Sequence, residues 1–543
     1  MSTCLLCAFV LLTSSDAILH TLYPGDDGYA EAIAVTNAFC HVRCPRFVLQ
    51  PTDPFELAEW MRSSDAPFTV KGGGHSYGCQ SVAEDDGVLI ETSRLKARTL
   101  HTMEDGSVQL ELGAGWTFAD VLPWLEERGY IMPHGECSTV GVAGWLLNGG
   151  GHPELQNFNR WYGGRPFLKR ITAVTTQGSV IEIDDKGDIE IIVRSPSESS
   201  DFLWKMRRML LKNKPANVVA PDSFFKHKAQ TIGANWIVAT SFRIEVLPRP
   251  EPFYAFVSFD LRDVLAQPVL DRLLTIDHDV SYVNCGIIVQ TNALKTQAAT
   301  LTLKCADWVD SDGATLRAMF DRSGFEHAEM HPVSSSYLAW HTNSSGKGWV
   351  PMTRLSFGQP NAEQLGRLLS RLYTRRCEEC FVEINHWEPF PNGLFRSMTE
   401  KWTGSAHMDW FCSDTPSNKE RCVAWSEEVN ADPDWGVGRF ADPHLPNCDP
   451  SEVTTHYNSL KFGLGLGRRL LKRLWDPNRR ISYWMDTEGT SQMCDAGVAQ
   501  GELSSTCRRA GVDATSLAAI KYNEYKERCD AVDRPWLEAV RSC

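Results

Sequence analysis

Two glycine-rich stretches constrain this chain of 543 residues more than any other feature. The first, Lys71-Gly72-Gly73-Gly74-His75-Ser76-Tyr77-Gly78, strips the backbone bare immediately before an imidazole. Three consecutive glycines permit backbone angles and an approach distance that no other residue allows, so something flat or charged lies against them. Taken alone, one such run also reads as a plain turn. The second stretch, GECSTVGVAGWLLNGGGH from Gly135 to His152, repeats the chemistry. It places a thiol at Cys137, 62 residues after His75, and then Gly141, Gly144, Gly149, Gly150 and Gly151. Two such loops at strand ends can pinch a dinucleotide pyrophosphate between backbone N–H groups. Neither follows the GxGxxG spacing after a first strand, which disfavours a nicotinamide site.

Composition bounds the rest. A net charge of −14 offers no basic footprint for a phosphate backbone, so no nucleic-acid partner is expected. No run of 18 or more apolar residues occurs, so no membrane span is expected. Leu5 to Leu12, LLCAFVLL, followed by Ser15-Asp16-Ala17, has the apolar core and small-residue site of a secretory signal over residues 1–17, although no Lys or Arg precedes Arg43. The other reading is a buried first helix. Among 17 cysteines, Cys40/Cys44, Cys377/Cys380, Cys412/Cys422 and the tail set Cys494, Cys507, Cys529 and Cys543 read as local staples of a secreted protein. Zinc is the rival for Cys377 and Cys380, but no second pair exists for them to join, so no metal is expected. Asn343-Ser344-Ser345 is a glycosylation sequon. The expected location is the secretory pathway, with an intracellular one as the alternative.

From Arg46 to about Pro248, strands and helices alternate. PFELAEWMRSS from Pro54 is an amphipathic helix, PFTVKGGG a short strand, VQLELGAGW from Val108 a strand, and Thr117 caps the helix that follows. ITAVTTQGSVIEID from Ile171 breaks at Gln177-Gly178 and reads as a hairpin. After LPRPEP, Leu247 to Pro252, the segments FYAFVSFD, VNCGIIVQ and AATLTLKCADWV are strands separated by helices such as ATLRAMFDRSG, which predicts an antiparallel sheet with helices on one face. The expected division is 18–248, 249–430, a return to the first domain over 431–490, and a Cys-rich tail over 491–543.

These residues resemble the FAD-linked oxidases of the vanillyl-alcohol oxidase and p-cresol methylhydroxylase superfamily, in its berberine-bridge-enzyme-like branch. KGGGHSYG is similar to the first flavin loop of that branch, ECSTVGVAGWLLNGGG to its second, GANWIVATSFRIEVLP from Gly233 to the end of its flavin domain, and RFADPHLP from Arg439 to its C-terminal module. The similarity runs from about Leu22 to Trp484. It implies an α+β fold: a two-lobed FAD-binding domain of the p-cresol methylhydroxylase type and a substrate domain with an antiparallel sheet flanked by helices. It further implies FAD tethered twice, by His75 to the 8α-methyl and by Cys137 to C6, with Lys71, Gly72, Gly73, Gly74, Ser76, Ser138, Thr139, Val140, Gly141, Gly144, Gly149, Gly150, Gly151, Ile237 and Val238 around it. The plainer readings are a core histidine for His75 and a disulfide partner for Cys137.

The implied reaction takes a hydride from a carbon bearing a hydroxyl, as in a carbohydrate, to the flavin, with O2 as the final acceptor giving hydrogen peroxide. A base must remove the hydroxyl proton. Relatives that oxidise sugars use a tyrosine in Asn-Tyr-x-Asp, but this chain has Arg439-Phe440-Ala441-Asp442 there, and phenylalanine accepts no proton. Three residues stand in as catalytic candidates: Tyr77, which otherwise packs on the ring; Glu383 in CFVEINHW, which otherwise is a solvated carboxylate; and Arg439, suited to an anionic reduced flavin or a substrate carboxylate. Val140 matches a position where small residues leave room for oxygen. Rival readings are a dehydrogenase with another acceptor, a silent flavin- or carbohydrate-binding protein, and a disulfide-rich structural protein.

Overall fold

The computed structural model describes residues 19–36, 44–75, 81–83, 87–135, 138–148, 167–212, 236–249, 253–260, 267–274, 283–291, 300–307, 313–332, 349–358, 380–387, 405–413, 473–478, 480–481 and 505–512, with single positions at 363, 366, 367, 370, 424, 517 and 520. Three sheets organise them. The first has the order β1-β2-β4-β3, built from β1 (His20–Leu22), β2 (Phe47–Gln50), β3 (Phe68–Lys71) and β4 (Val88–Glu91). Its β2–β4 and β3–β4 pairs are parallel. β4 is Val-Leu-Ile-Glu, buried at every position, as expected of a parallel strand covered on both faces.

The second sheet is antiparallel, in the order β10-β9-β8-β11-β6-β5. Its strands are β5 (Arg98–Thr102), β6 (Val108–Gly113), β8 (Leu168–Thr175), β9 (Val180–Asp184), β10 (Ile189–Val193) and β11 (Ile237–Pro248), and the two-residue β7 (Tyr130–Ile131) pairs with the end of β11. The predicted hairpin is β8–β9, turning at Gly178, whose φ is +88°. The third sheet, also antiparallel, runs β15-β12-β14-β13-β17-β18-β16. It comprises β12 (Phe253–Asp260), β13 (Val283–Thr291), β14 (Thr300–Asp307), β15 (Glu329–Pro332), β16 (Trp349–Gly358), β17 (Cys380–Trp387) and β18 (Ser405–Ser413).

The helices follow from local signals. After α1 (Tyr29–Ile33), α2 (Pro54–Ser63) starts where Asp53 accepts from the Phe55 and Glu56 amides at 2.7 and 3.0 Å, with Pro54 in the first turn. α3 (Phe118–Glu126) has a capping box between Thr117 and Asp120. α4 (Val142–Asn148) and α5 (Asp201–Lys212) complete the first two layers, and α6 (Gln267–Leu274) and α7 (Ala314–Arg322) accompany the third sheet. α7 buries Leu316, Met319 and Phe320 against β12 and β14, where Leu301, Leu303 and Cys305 are buried on alternate positions of β14. The helix-covered face of this sheet is therefore the apolar one.

One core joins the first two sheets: Leu57, Ala58 and Met61 of α2 meet Ile90 of β4 and Val174, Val180 and Val238 of the second sheet. Gly178 packs so closely on α2 that a Cβ there would fall within 3.0 Å of the Ala58 carbonyl. The chain also returns from far downstream. Ile481 bridges Phe68, the Phe68 amide donates to the Arg480 carbonyl at 2.7 Å, and Arg480 donates to the Met61 carbonyl at 2.8 Å. Arg207 of α5 donates to the Leu474 carbonyl while bonding Glu198 at 2.5 Å, a pair with neither side chain exposed.

The local staple expected at Cys40/Cys44 is not what forms. Cys44 bonds Cys507, 463 residues away, at the start of α8 (Ser505–Ala510), and Cys507, Val512 and Leu517 join Leu22, Tyr29, Val48 and Leu89 in one core. Sequence proximity suggested the pairing, but proximity in the fold decides it. The tail set is thus not a self-contained cluster, since one of its cysteines is spent on the N-terminal sheet. Residues 1–17 and Cys377, Cys422, Cys494, Cys529 and Cys543 lie outside the described residues.

Candidate cofactor and active site

The first glycine loop begins where β3 ends. The Thr92 amide donates to the Lys71 carbonyl at 3.0 Å, and the Thr92 hydroxyl donates to the Ala114 carbonyl at 3.1 Å, binding the strand end to the β6–α3 connection. The Lys71 side chain is buried with its ammonium 3.8 Å from Glu91, whose carboxylate also accepts from Gln50 at 2.9 Å and from the Ser93 hydroxyl. A Cβ on Gly74, whose φ is +75°, would sit 3.1 Å from Lys71 Cε. The loop therefore rests on a buried lysine held by a carboxylate, a pairing that keeps either charge from being stranded.

The second loop is pinned to the start of α3. The Ala119 amide donates to the Ser138 carbonyl at 2.7 Å, Phe118 to Val140 at 3.2 Å, and Val142 back to Trp116 at 3.0 Å. The two loops then interlock. A Cβ on Gly73 would lie within 3.0 Å of the Gly141 amide nitrogen and the Thr139 carbonyl, and one on Gly141 would strike the Gly73 amide nitrogen. No side chain fits at either position. Beside this seam His75 Nε2 and Thr139 Oγ1 stand 2.6 Å apart, a polar side-chain link between the loops.

Away from the seam the same loops are open. Nothing lies within 4 Å of a Cβ added to Gly144, and Gly72 would meet only atoms at 3.9 Å or beyond. The Ser138 hydroxyl and the Trp145 indole nitrogen are buried with no hydrogen-bond partner among the described residues. Buried polar atoms left so are uncommon and call for a ligand or water. A rim free of side chains at Gly72 and Gly144 admits a flat cofactor such as FAD. Next to the loop, His134 is wholly buried with Nδ1 donating to the Gly135 carbonyl at 2.9 Å, and burial pushes its pKa down to about 4, so the ring is neutral near pH 7.

The structure brings Lys71, Gly72, Gly73, Gly74, His75, Ser138, Thr139, Val140, Gly141 and Gly144 into this one cradle. Ile237 and Val238, at the start of β11, are core residues by their side chains. Ser76, Tyr77, Cys137, Gly149, Gly150, Gly151, Arg439 and Phe440 lie outside the described residues. The supports Glu91, Gln50 and Thr92 were not anticipated. Their signal was Glu91 itself, a carboxylate closing the otherwise apolar Val88-Leu89-Ile90.

Glu383 sits on β17 directly opposite Asp409 of β18, and Asp409 in turn is opposite Arg354 of β16. The next row aligns Asn385, His407 and Ser356. Residues paired across adjacent strands share a sheet face. Ile287, opposite Leu303 of β14, and Ile384, opposite Ile287, belong to the helix-covered face, so Glu383, Asp409, Arg354, Asn385 and His407 belong to the other.

Residues 45–184 match the family model described as an FAD binding domain. Among curated relatives, an FAD-linked oxidoreductase hasG of Aspergillus fumigatus is 27% identical over 191 residues, covering 35% of this chain and 38% of the relative. A glucooligosaccharide oxidase of Sarocladium strictum is 26% identical over 140 residues, covering 26% of this chain and 25% of the relative. The matched part thus spans well under half of these relatives. Among solved structures, 6-hydroxy-D-nicotine oxidase from Arthrobacter nicotinovorans superposes with a TM-score of 0.61 at 16% identity, over 86% of this chain and 96% of that one. Berberine bridge enzyme from Eschscholzia californica gives 0.60 at 14% identity, over 86% and 95%.

Proposed function

With an FAD-binding domain at residues 45–184 and the fold of the vanillyl-alcohol oxidase and p-cresol methylhydroxylase superfamily, we propose that this chain is an FAD-dependent oxidoreductase acting on a hydroxyl-bearing carbohydrate. The observation that carries the reading is the interlocked pair of loops, closed at Gly73 and Gly141 and open at Gly72 and Gly144. FAD held there would supply hydride acceptance from the substrate carbon and transfer of the electron pair to O2, giving hydrogen peroxide. His75 and Cys137 would hold it covalently, the Ser138 hydroxyl and Trp145 indole would supply unpartnered donors, and the Gly73–Gly141 seam would fix the two loops as one surface. The glucooligosaccharide oxidase among the relatives supports the substrate class.

Removal of the hydroxyl proton falls to the polar face of the third sheet, because Phe440 stands where a tyrosine base is expected. Glu383 and Asp409 are opposed in register, so the proposed base shares its row with a second carboxylic acid. Arg354 is opposite Asp409 in the same row, which places a cationic residue type on the face assigned to the base. The Cys44–Cys507 disulfide favours an oxidising compartment and so supports passage through the secretory pathway.

The test is anaerobic addition of glucose-based oligosaccharides to the yellow protein. Bleaching of the flavin band is expected, and Glu383→Gln should slow it by about a hundredfold or more. A yellow protein that no sugar or alcohol bleaches would instead favour the silent flavin-binding reading that Phe440 motivates. Bleaching without oxygen consumption on re-aeration would favour a dehydrogenase.

A further inference from the structure

We propose that Cys380 and Cys412 form a disulfide across β17 and β18, and Cys285 and Cys305 one across β13 and β14, so that the third sheet is stitched twice on its helix-covered face. The pairing stands on strand register and on the state of Cys305; only its bearing on Glu383, given below, rests on the function proposed above. Cys305 is wholly buried and disulfide-bonded. Among the described residues its row offers one sulfur: β12 places Ala255 opposite it on one side, and β13 places Cys285 opposite it on the other.

The same test picks out the second pair. Cys380 stands opposite Thr291 of β13 on one side and Cys412 of β18 on the other, while Cys412 has Val350 of β16 as its other neighbour. Residues directly opposite in an antiparallel pair have Cα atoms about 4.5 or 5.5 Å apart, and both separations fall within the range of about 4.4–6.8 Å that a disulfide spans. Both pairs lie on one face, since Cys305 is two positions from Leu303 and Cys380 four from Ile384, and both of those residues align with Ile287. Pairing across strands then replaces the local Cys377/Cys380 and Cys412/Cys422 staples, as it does at Cys44.

Each bond forms by thiol–disulfide exchange: the two cysteine thiols give up a pair of protons and a pair of electrons, and a disulfide of an oxidising compartment takes them up and becomes a pair of thiols. What the second bond does follows from its place. It ties β17 to β18 three rows from Glu383 and Asp409, and from the opposite face, so no sulfur intrudes on the polar row. A slip of one residue between these strands moves Glu383 off the polar face. The crosslink forbids that slip and keeps the proposed base in register with Asp409.

The experiment maps disulfides by mass in the wild-type protein, purified without reductant, alkylated in denaturant and cut with trypsin and a glutamate-specific protease, which separates Cys377 from Cys380 at Glu378 and Glu379. The Cys44–Cys507 peptide is the internal standard of oxidation. Linked peptides joining Cys380 to Cys412 and Cys285 to Cys305 are expected. A link from Cys380 to Cys377, from Cys412 to Cys422 or from Cys305 to any other cysteine would overturn the proposal, as would alkylated Cys380 and Cys412 in protein whose Cys44–Cys507 bond is intact. In Cys380→Ser, alkylation of Cys412 should rise from near zero to nearly complete, and a thiol appearing at Cys377 instead would count equally against the pairing. The expected map in a protein whose flavin no sugar bleaches would still establish the pairing, and would count against the proposed function alone.

Discussion

The glycine cradle and the C-terminal return at residues 473–481 both close the FAD-binding part of the molecule, by opposite means. The cradle is backbone against backbone: Gly73 and Gly141 leave no room for a single added carbon, and the His75–Thr139 side-chain link runs beside them. The return is built from large polar side chains. Arg207 reaches the Leu474 carbonyl, Arg480 reaches the Met61 carbonyl, Asp476 accepts from the Arg480 and Ile481 amides, and Trp475 packs on Trp204 and Trp236. The contrast shows where each region tolerates change. A backbone seam fails at the first added atom, while a side-chain seam fails when one partner loses its charge.

The sharpest break of that contrast is Gly73→Ala. Its Cβ would strike the Gly141 amide nitrogen, so the loops must part, and flavin per chain, read from the visible spectrum, is expected to fall close to zero. Gly144→Ala sharpens the point, because nothing lies within 4 Å of its added carbon. That variant should melt near wild type yet bind FAD less well if the open rim takes the cofactor, as proposed. Equal FAD content in the two variants would end the distinction between seam and rim.

Next in size is Glu198→Gln at the return. Glu198 and Arg207 are unexposed, and burial pushes the Arg207 pKa down while Glu198 holds it up. Removing the carboxylate charge strands the guanidinium and should cost about 3–5 kcal/mol by urea denaturation, with cofactor content at saturating FAD largely kept. A loss under about 1 kcal/mol would mean that the hydrogen bonds to Leu474 carry the seam.

The smallest effect is a pH dependence beside the cradle. Burial holds His134 near pKa 4, whereas in the unfolded chain it titrates near its ordinary 6.5. The unfolded state therefore takes up a proton that the folded state refuses, and stability falls as pH drops from about 6.5 to about 4, by about 3 kcal/mol. His134→Asn, which keeps a donor for the Gly135 carbonyl, should flatten that part of the pH curve. An unchanged slope would place the titration elsewhere.

The same contrast explains what the sequence disclosed. The cradle was legible because a backbone contact leaves a glycine, and two glycine runs ending near a histidine and a cysteine admit few other purposes. The helix from Pro54, the Thr117 cap and the Gln177-Gly178 hairpin were equally plain, since their signals are local. The return was legible only as a resemblance, because nothing local in Leu474-Trp475-Asp476 announces a partner at Arg207. The Cys44–Cys507 bond was misread for that reason: partners 463 residues apart leave no mark on either neighbourhood. The Glu383–Asp409–Arg354 row emerged only with strand register, which alternation alone does not fix.

The central claim is that the two interlocked loops form one cradle for covalently held FAD. It is tested most directly by denaturing the wild-type protein in acid and mapping the flavin by mass. The account predicts yellow precipitate, about one flavin per chain, on the peptides that contain His75 and Cys137. A well-folded protein that yields no flavin, in the precipitate or the supernatant, would contradict it.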